Sequence, residues 1–264
     1  MSTLRLALVQ ADTRWHDPAA NRELYAHQVR LAAPGADIVL LPETFLSGFS
    51  NDAIKLAEGM RGESMQWLRK LAQDTGVVIC GSLVLQDEQG RAVNRLVWVG
   101  PQDEHHYDKR HLFRMAGEHE RYGAGAIRPI IEYKGFRILP SVCYDLRFPV
   151  WLRNRVQADG QLEYDLMLFV ANWPKPRREH WRTLLRARAI ENLAYVAAVN
   201  RVGIDGNQIE YAGDSAVIDF LGQPLVELGQ QAQRASVEID LAALRAHRHR
   251  FPAHQDADSF GANW

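Results

Sequence analysis

At 264 residues, with 47% hydrophobic and 24% charged side chains, the chain has an ordinary globular make-up and enough length for a substantial core. Its 31 basic and 32 acidic residues leave a formal charge of -1, which gives no general reason to expect nucleic acid or an anionic membrane as partner. No apolar run approaches the roughly 20 residues of a membrane helix. The two cysteines, Cys80 and Cys143, cannot build a disulfide framework, so a reducing cytoplasm is the expected setting.

Leu4, Leu6 and Leu8 alternate with Arg5 and Ala7, and without a basic n-region or a cleavage site this start reads as a first strand rather than a signal peptide. Residues 19–33 carry Leu24, Val29 and Leu31 among polar neighbours, which predicts an amphipathic helix closed by Pro34-Gly35. Ile38-Val39-Leu40-Leu41 predicts a buried strand, cut off by Pro42-Glu43. A helix is expected over 64–75, followed by strands over 77–84 and 95–99. Residues 101–125 show no apolar periodicity and read as a long loop, a feature usually functional or disordered. Its segment Tyr107-Asp108-Lys109-Arg110-His111-Leu112-Phe113 is too aromatic and apolar for a solvated linker. The apolar run before Cys143 predicts a strand, and Pro149 opens a helix, where its missing N–H costs nothing. A strand over 166–170, a helix over 178–193, a strand over 195–199 and a hairpin from 215–220 to 225–228 follow. This alternation argues for one α/β domain spanning residues 1–264. From about 245 to 264 the chain is polar yet carries Phe251, Phe260 and Trp264. That end reads either as a tail docked on the fold or on a partner subunit, or as a loosely ordered terminus.

Glu43, Cys143 and Asn172 each fall just past the carboxyl end of an expected strand, where ligands gather in open α/β sheets. Lys109 lies in the long loop. A thiol near neutral pH needs a base or a positive field to become a nucleophile. Glu43 is a candidate for taking the proton, and Lys109 for stabilising the thiolate and an oxyanion. Taken singly, each has a plainer role: a small core residue, a helix-terminal carboxylate, a surface cation. Cys80, inside Val77-Val78-Ile79-Cys80, fits the core role well. Neither His105-His106 nor His247-Arg248-His249 has the helical His–Glu spacing of zinc proteases, so no metal is expected.

Together, Leu41-Pro42-Glu43, Tyr107-Asp108-Lys109-Arg110-His111-Leu112-Phe113 and Cys143-Tyr144-Asp145-Leu146-Arg147-Phe148-Pro149 resemble the Glu-Lys-Cys signature of the nitrilase superfamily, in its carbon–nitrogen hydrolase branch. The resemblance runs over essentially the whole chain. Residues 109–125, Asn172-Trp173-Pro174, Arg188-Ala189-Ile190-Glu191-Asn192 and Gly213-Asp214-Ser215 look most like the bacterial ω-amidases, which hydrolyse 2-oxoglutaramate. The resemblance implies a four-layer α-β-β-α sandwich, homodimers paired through the α faces, and no metal or organic cofactor. It further implies Cys143 as nucleophile, Glu43 as general base, Lys109 as oxyanion stabiliser helped by the Tyr144 backbone N–H, and a second glutamate in the loop. Glu118 fits that last setting better than Glu120. Relatives have Pro-Gly where this chain has Ala124-Gly125, which leaves the path of the loop open.

The expected substrate is a small ω-amido 2-oxo acid; deaminated glutathione, an N-carbamoyl compound or a nitrile are the alternatives. Its carboxylate calls for cations, and Arg114, Lys175 and Arg177 lie near the site in sequence. Phe45, Phe113, Asn172 and Trp173 are the expected pocket walls. Arg147 is expected to pair with a carboxylate in a structural role. The cations Lys175, Arg177, Arg178, Arg182, Arg186 and Arg188 are expected to form a solvated or intersubunit face rather than a nucleic-acid patch.

Overall fold

The computed structural model describes residues 2–258. Its first half contains β1 (Thr3–Gln10), α1 (Pro18–Ala32), β2 (Ile38–Leu40), α2 (Glu63–Thr75), β3 (Val78–Gln86), β4 (Ala92–Val99) and β5 (Glu104–Asp108). The second half contains β6 (Ile131–Tyr133), β7 (Phe136–Val142), α3 (Pro149–Leu152), β8 (Leu166–Ala171), α4 (Arg178–Asn192) and β9 (Tyr195–Asn200). After these come β10 (Val202–Ile204), β11 (Glu210–Ala212), β12 (Ala216–Ile218), β13 (Pro224–Glu227), β14 (Gln233–Asp240) and α5 (Leu241–Arg250). The strands form two six-stranded sheets, ordered β14-β1-β2-β3-β4-β5 and β13-β12-β9-β8-β7-β6, with β10-β11 as a separate hairpin.

The period-2 alternation of side chains explains the layering. Leu4, Leu6, Leu8, Ile38, Leu40, Val78 and Cys80 belong to one buried cluster with residues of the facing sheet, among them Ile138 and Leu166. Their neighbours Ala7, Val9, Val39, Leu41 and Ile79 point outward, onto Tyr25 and Val29 of α1 and Met65, Leu68 and Leu71 of α2. Trp181, Leu185 and Ala189 of α4, with Leu241 and Leu244 of α5, cover the other sheet. The result is the four-layer α-β-β-α sandwich expected from the sequence. Within each sheet the central strands β1-β2-β3 and β7-β8-β9 run parallel, so the loops after β2, β7 and β8 meet at one edge.

Five strands, β5, β6, β10, β11 and β14, were not read from the sequence, and β14 and β5 show why. β14 pairs antiparallel with all of β1, from Thr3 opposite Asp240 to Gln10 opposite Gln233. Only its alternate residues Ala235, Val237 and Ile239 are apolar and packed on the core, so as an edge strand it carries too weak a signature to stand out. β5 lies inside the stretch read as a loop, because its exposed Glu104, His105 and His106 hide the pattern of an edge strand paired to β4.

Among the described residues, all the cations of 175–188 except Arg177 meet a carboxylate within the chain. Lys175 meets Glu210, Arg178 meets Asp214, Arg182 and Arg186 meet Glu227, and Arg188 meets Glu191. In α5, Arg248 reaches Asp165 at 2.6 Å and the Leu193 and Tyr164 carbonyls, which ties the helix to the sheet. Phe260 and Trp264 lie outside the described residues. Among those described, no helix is long and apolar enough to cross a membrane.

Candidate active site

Three loops deliver the chemistry. The first leaves β2 at Leu41-Pro42-Glu43 and is pinned to β3, where the Thr44 N–H donates to the Ser82 hydroxyl at 2.8 Å and the Phe45 N–H to the Ser82 carbonyl at 3.1 Å. Gly81 permits this close approach: a Cβ there would lie 2.8–2.9 Å from Phe45 and Leu41. The Glu43 carboxylate is fully buried. Its Oε1 accepts from Lys109 Nζ at 3.0 Å and Asn94 Nδ2 at 2.8 Å, and its Oε2 from the Asn172 N–H at 2.8 Å. Asn172 also donates through Nδ2 to the Glu43 carbonyl and the Thr44 hydroxyl, so the end of β8 holds the end of β2 in place.

The second loop follows β5. Lys109 Nζ lies between two carboxylates, 3.0 Å from Glu43 and 2.9 Å from Glu118, over the ring of Phe49. Glu118 is buried and accepts from the Phe113 N–H, whereas Glu120 is exposed. The structure therefore brings Glu118, not Glu120, to Lys109. The loop returns through Gly125, whose N–H donates to the Lys109 carbonyl at 3.0 Å. A Cβ at Gly125 would sit 2.0 Å from the Asp108 carbonyl oxygen, so the glycine is required with or without a preceding proline.

The third loop is the turn after β7. Cys143 has φ 44°, a left-handed conformation rare for a side chain of its kind. Such strain costs about 1–3 kcal/mol and persists only where the surroundings over-determine it. Here the buried Asp145 carboxylate does so, accepting from the Val142 N–H, the Tyr107 hydroxyl and the His111 N–H at 2.8–3.0 Å. His111 adds its Nδ1 at 2.8 Å from Asp145 and stacks on Phe148, with ring centroids 3.7 Å apart. Tyr107, His111 and Asp145 thus fix the angle at which Cys143 leaves the sheet.

Electrostatics distinguish the groups. Burial, followed by the Glu43 carboxylate, pushes the Cys143 thiol well above its ordinary value, against the pull of Lys109. Burial pulls Lys109 down, but the Glu118 and Glu43 carboxylates outweigh it and hold the ammonium protonated. Burial raises Glu118, with Lys109 opposing. The resting site is therefore a thiol beside a carboxylate and a cation, not a preformed thiolate. Alkylation of Cys143 by iodoacetamide should accordingly keep accelerating up to and beyond pH 9, read from the Cys143 peptide by mass spectrometry; a plateau near neutrality would contradict this.

Glu43, Lys109 and Cys143 open into a cavity of about 350 Å³, walled also by Phe49, Phe113, Tyr144, Arg147, Asn172, Trp173, Arg177 and Tyr211. This is the small end of the ligand-pocket range. Of the expected wall residues, Phe113, Asn172 and Trp173 are in place. Phe45 is not: it is fully buried on the helix side, between Tyr25 and Trp67. Arg114 is exposed and outside the cavity, because the short 3-10 turn Arg114–Ala116 presents Met115 and Ala116 instead. Lys175 is also outside and pairs with Glu210. Arg147 pairs with no carboxylate among the described residues; it lies over Trp173 at 4.7 Å and lines the cavity.

Sequence reasoning missed Asn94, whose Nδ2 reaches both Glu43 and Glu118, and Tyr211, delivered from the separate hairpin. A polar residue within the apolar β4 was the available signal for Asn94; Tyr211 had none. Among the described residues, no group of three or more His, Cys, Asp or Glu side chains could hold a metal ion.

The sequence profile of the carbon–nitrogen hydrolase family matches residues 5–249. The chain belongs to that family. This carbon–nitrogen hydrolase is 48% identical to the omega-amidase YafV of Escherichia coli (strain K12), over 98% of this chain and 99% of that one. It is 30% identical to the 2-oxoglutaramate amidase of Bacillus subtilis (strain 168), over 95% and 96% of the two chains. Among solved structures it is similar to XC1258 from Xanthomonas campestris, a CN-hydrolase superfamily protein with an arsenic adduct in its active site. That match has 57% identity, a TM-score of 0.97 and full coverage of both chains. The fold and these relatives place this carbon–nitrogen hydrolase in the nitrilase superfamily as an amide-cleaving enzyme.

Proposed function

We propose that this enzyme is an ω-amidase, hydrolysing the terminal amide of a small ω-amido 2-oxo acid such as 2-oxoglutaramate or 2-oxosuccinamate to the dicarboxylate and ammonia. The observation that carries the reading is the contact of one thiol, one carboxylate and one ammonium at the floor of a small cavity whose wall bears two arginines. The resemblance to the E. coli and B. subtilis amidases supports the substrate class. Arsenic is thiophilic, so the adduct in XC1258 is what a reactive thiol at this place would give.

In the first step the Glu43 carboxylate takes the Cys143 proton as Sγ attacks the amide carbonyl carbon. Burial and the Glu43 carboxylate disfavour a free thiolate, which suits a transfer that accompanies attack. The carbonyl oxygen gains the negative charge and is held by the Lys109 ammonium and the Tyr144 N–H. The protonated Glu43 then gives its proton to the amide nitrogen, the C–N bond breaks, ammonia leaves and a thioester remains. In the second step Glu43 takes a proton from water and the hydroxide adds to the thioester carbonyl. Collapse breaks the C–S bond, frees the acid, and returns the proton to sulfur. Glu118 touches no reacting atom in this scheme; it positions Lys109 and keeps it charged.

A cytoplasmic setting suits a catalytic thiol that must stay reduced, and both cysteines are unpaired. A homodimer paired through its α faces fits the exposed Val150, Ile190 and Leu221 on the α3 and α4 side.

An ammonia-release screen over ω-amido 2-oxo acids, deaminated glutathione, N-carbamoyl amino acids and nitriles tests the proposal. The highest kcat/KM is expected for 2-oxoglutaramate or 2-oxosuccinamate; a preference for any other class would overturn the substrate assignment.

A further inference from the structure

We propose that Arg147 and Arg177 together form the receptor for the carboxylate at the end of the substrate remote from the scissile amide. On this inference, which rests on the ω-amido acid reading, they are the specificity-determining residues of the site. Both line the same cavity as Cys143. What singles them out is their lack of a counter-charge: among the described residues, neither has a carboxylate partner. The other cations of the adjoining segment, Lys175, Arg178, Arg182, Arg186 and Arg188, each end on one. Arg147 has a single polar contact among these residues, donating from Nη2 to Nδ1 of His180 at 3.0 Å.

The two guanidiniums are braced by aromatic rings rather than by charges. Arg147 lies over Trp173 at 4.7 Å and Arg177 over Phe113 at 5.4 Å. Ring contact fixes the plane of a guanidinium while leaving its N–H edge free, the geometry that suits a carboxylate. Each cation raises the cost of the other: burial, then Arg177, holds Arg147 below its ordinary value. A bound carboxylate relieves that repulsion.

The remaining charges of the cavity leave the pair as its anion site. Lys109 is taken by Glu43 and Glu118, and those carboxylates are held in turn by Asn94, Asn172 and the Phe113 N–H. The floor of the site therefore repels a second carboxylate, and the arginine wall attracts it. That polarity orients an amido acid with its amide toward Cys143, whereas a simple nitrile or neutral amide gains nothing from the wall.

The test compares glutaramate, the monoamide of glutaric acid, with pentanamide, which has the same chain length and no carboxylate. Both are assayed by ammonia release with wild type, Arg147→Gln, Arg177→Gln, Arg147→Lys and Lys175→Gln. Wild type should prefer glutaramate. Each glutamine variant should lower the ratio of the two kcat/KM values by about 10–100-fold, mainly through KM, because the contact is made equally in ground and transition states. Arg147→Lys should retain part of the preference, and it keeps the test open if the glutamine variant folds poorly. Lys175→Gln, outside the cavity, should leave the ratio unchanged. An unchanged ratio in both Arg147→Gln and Arg177→Gln overturns the receptor and leaves the ω-amidase reading standing. A wild type indifferent to the carboxylate removes that reading itself, and the receptor with it.

Discussion

Replacing Cys143 with alanine should lower amide hydrolysis by about 10⁴-fold or more, since on the proposed mechanism it removes the covalent nucleophile and leaves only binding and oxyanion stabilisation. The fold should survive. Alanine keeps a Cβ, so the strain at φ 44° is unchanged, and the Asp145 contacts that hold the turn are made by other residues. Cys80→Ala is the matched control. Cys80 is fully buried between the sheets, and burial alone pushes its thiol up. Its loss should cost roughly 1 kcal/mol, as for a buried methyl group, with kcat within about twofold of wild type. The two variants, compared by ammonia release and thermal melting, separate a reactive thiol from a packing one; equal loss of activity in both would remove Cys143 as nucleophile.

Lys109→Met should damage both stability and turnover. The ammonium is buried with two carboxylates, and removing one partner of such a cluster typically costs about 3–5 kcal/mol because uncompensated charge stays inside. Turnover should fall by a further 10²–10³-fold or so, the usual effect of losing one oxyanion donor. The pH dependence has a definite sign. Burial already raises Glu118, and without Lys109 to oppose it the carboxyl goes higher still. A carboxyl that binds its proton more tightly when folded makes the protein less stable as pH rises through its folded value. The variant should therefore regain stability on acidification, visible as a rising melting temperature below neutral pH relative to wild type. A variant with wild-type stability at pH 8 would show that the cluster is not held by the cation.

The four-layer sandwich was implied by the family resemblance. The central strands were legible in the sequence because buried parallel strands write continuous apolar runs, as Ile38 to Leu41, Val77 to Cys80 and Leu166 to Val170 do. The edges were not, since β5 and β14 have one face or one side in water and carry charges there. The site followed the same division. Glu43, Lys109, Glu118 and Cys143 were assigned their roles by the family resemblance; the structure brings Glu43 and Glu118 to Lys109 and lines one cavity with Glu43, Lys109 and Cys143. The walls depend on which way a side chain turns. Phe45 and Arg114 adjoin site residues in sequence yet face the core and the solvent, while Tyr211 is distant in sequence and faces the cavity. Arg147 was expected to pair with a carboxylate, but the one in its own turn, Asp145, is already taken by Tyr107 and His111.

The covalent intermediate tests the account most directly. The enzyme is mixed with 2-oxoglutaramate, quenched in acid during turnover, digested and mapped by mass spectrometry. The Cys143 peptide should carry the substrate acyl group, the mass of substrate less ammonia, and lose it once substrate is consumed. Turnover with no adduct on Cys143, or with the adduct on another residue, would contradict the mechanism.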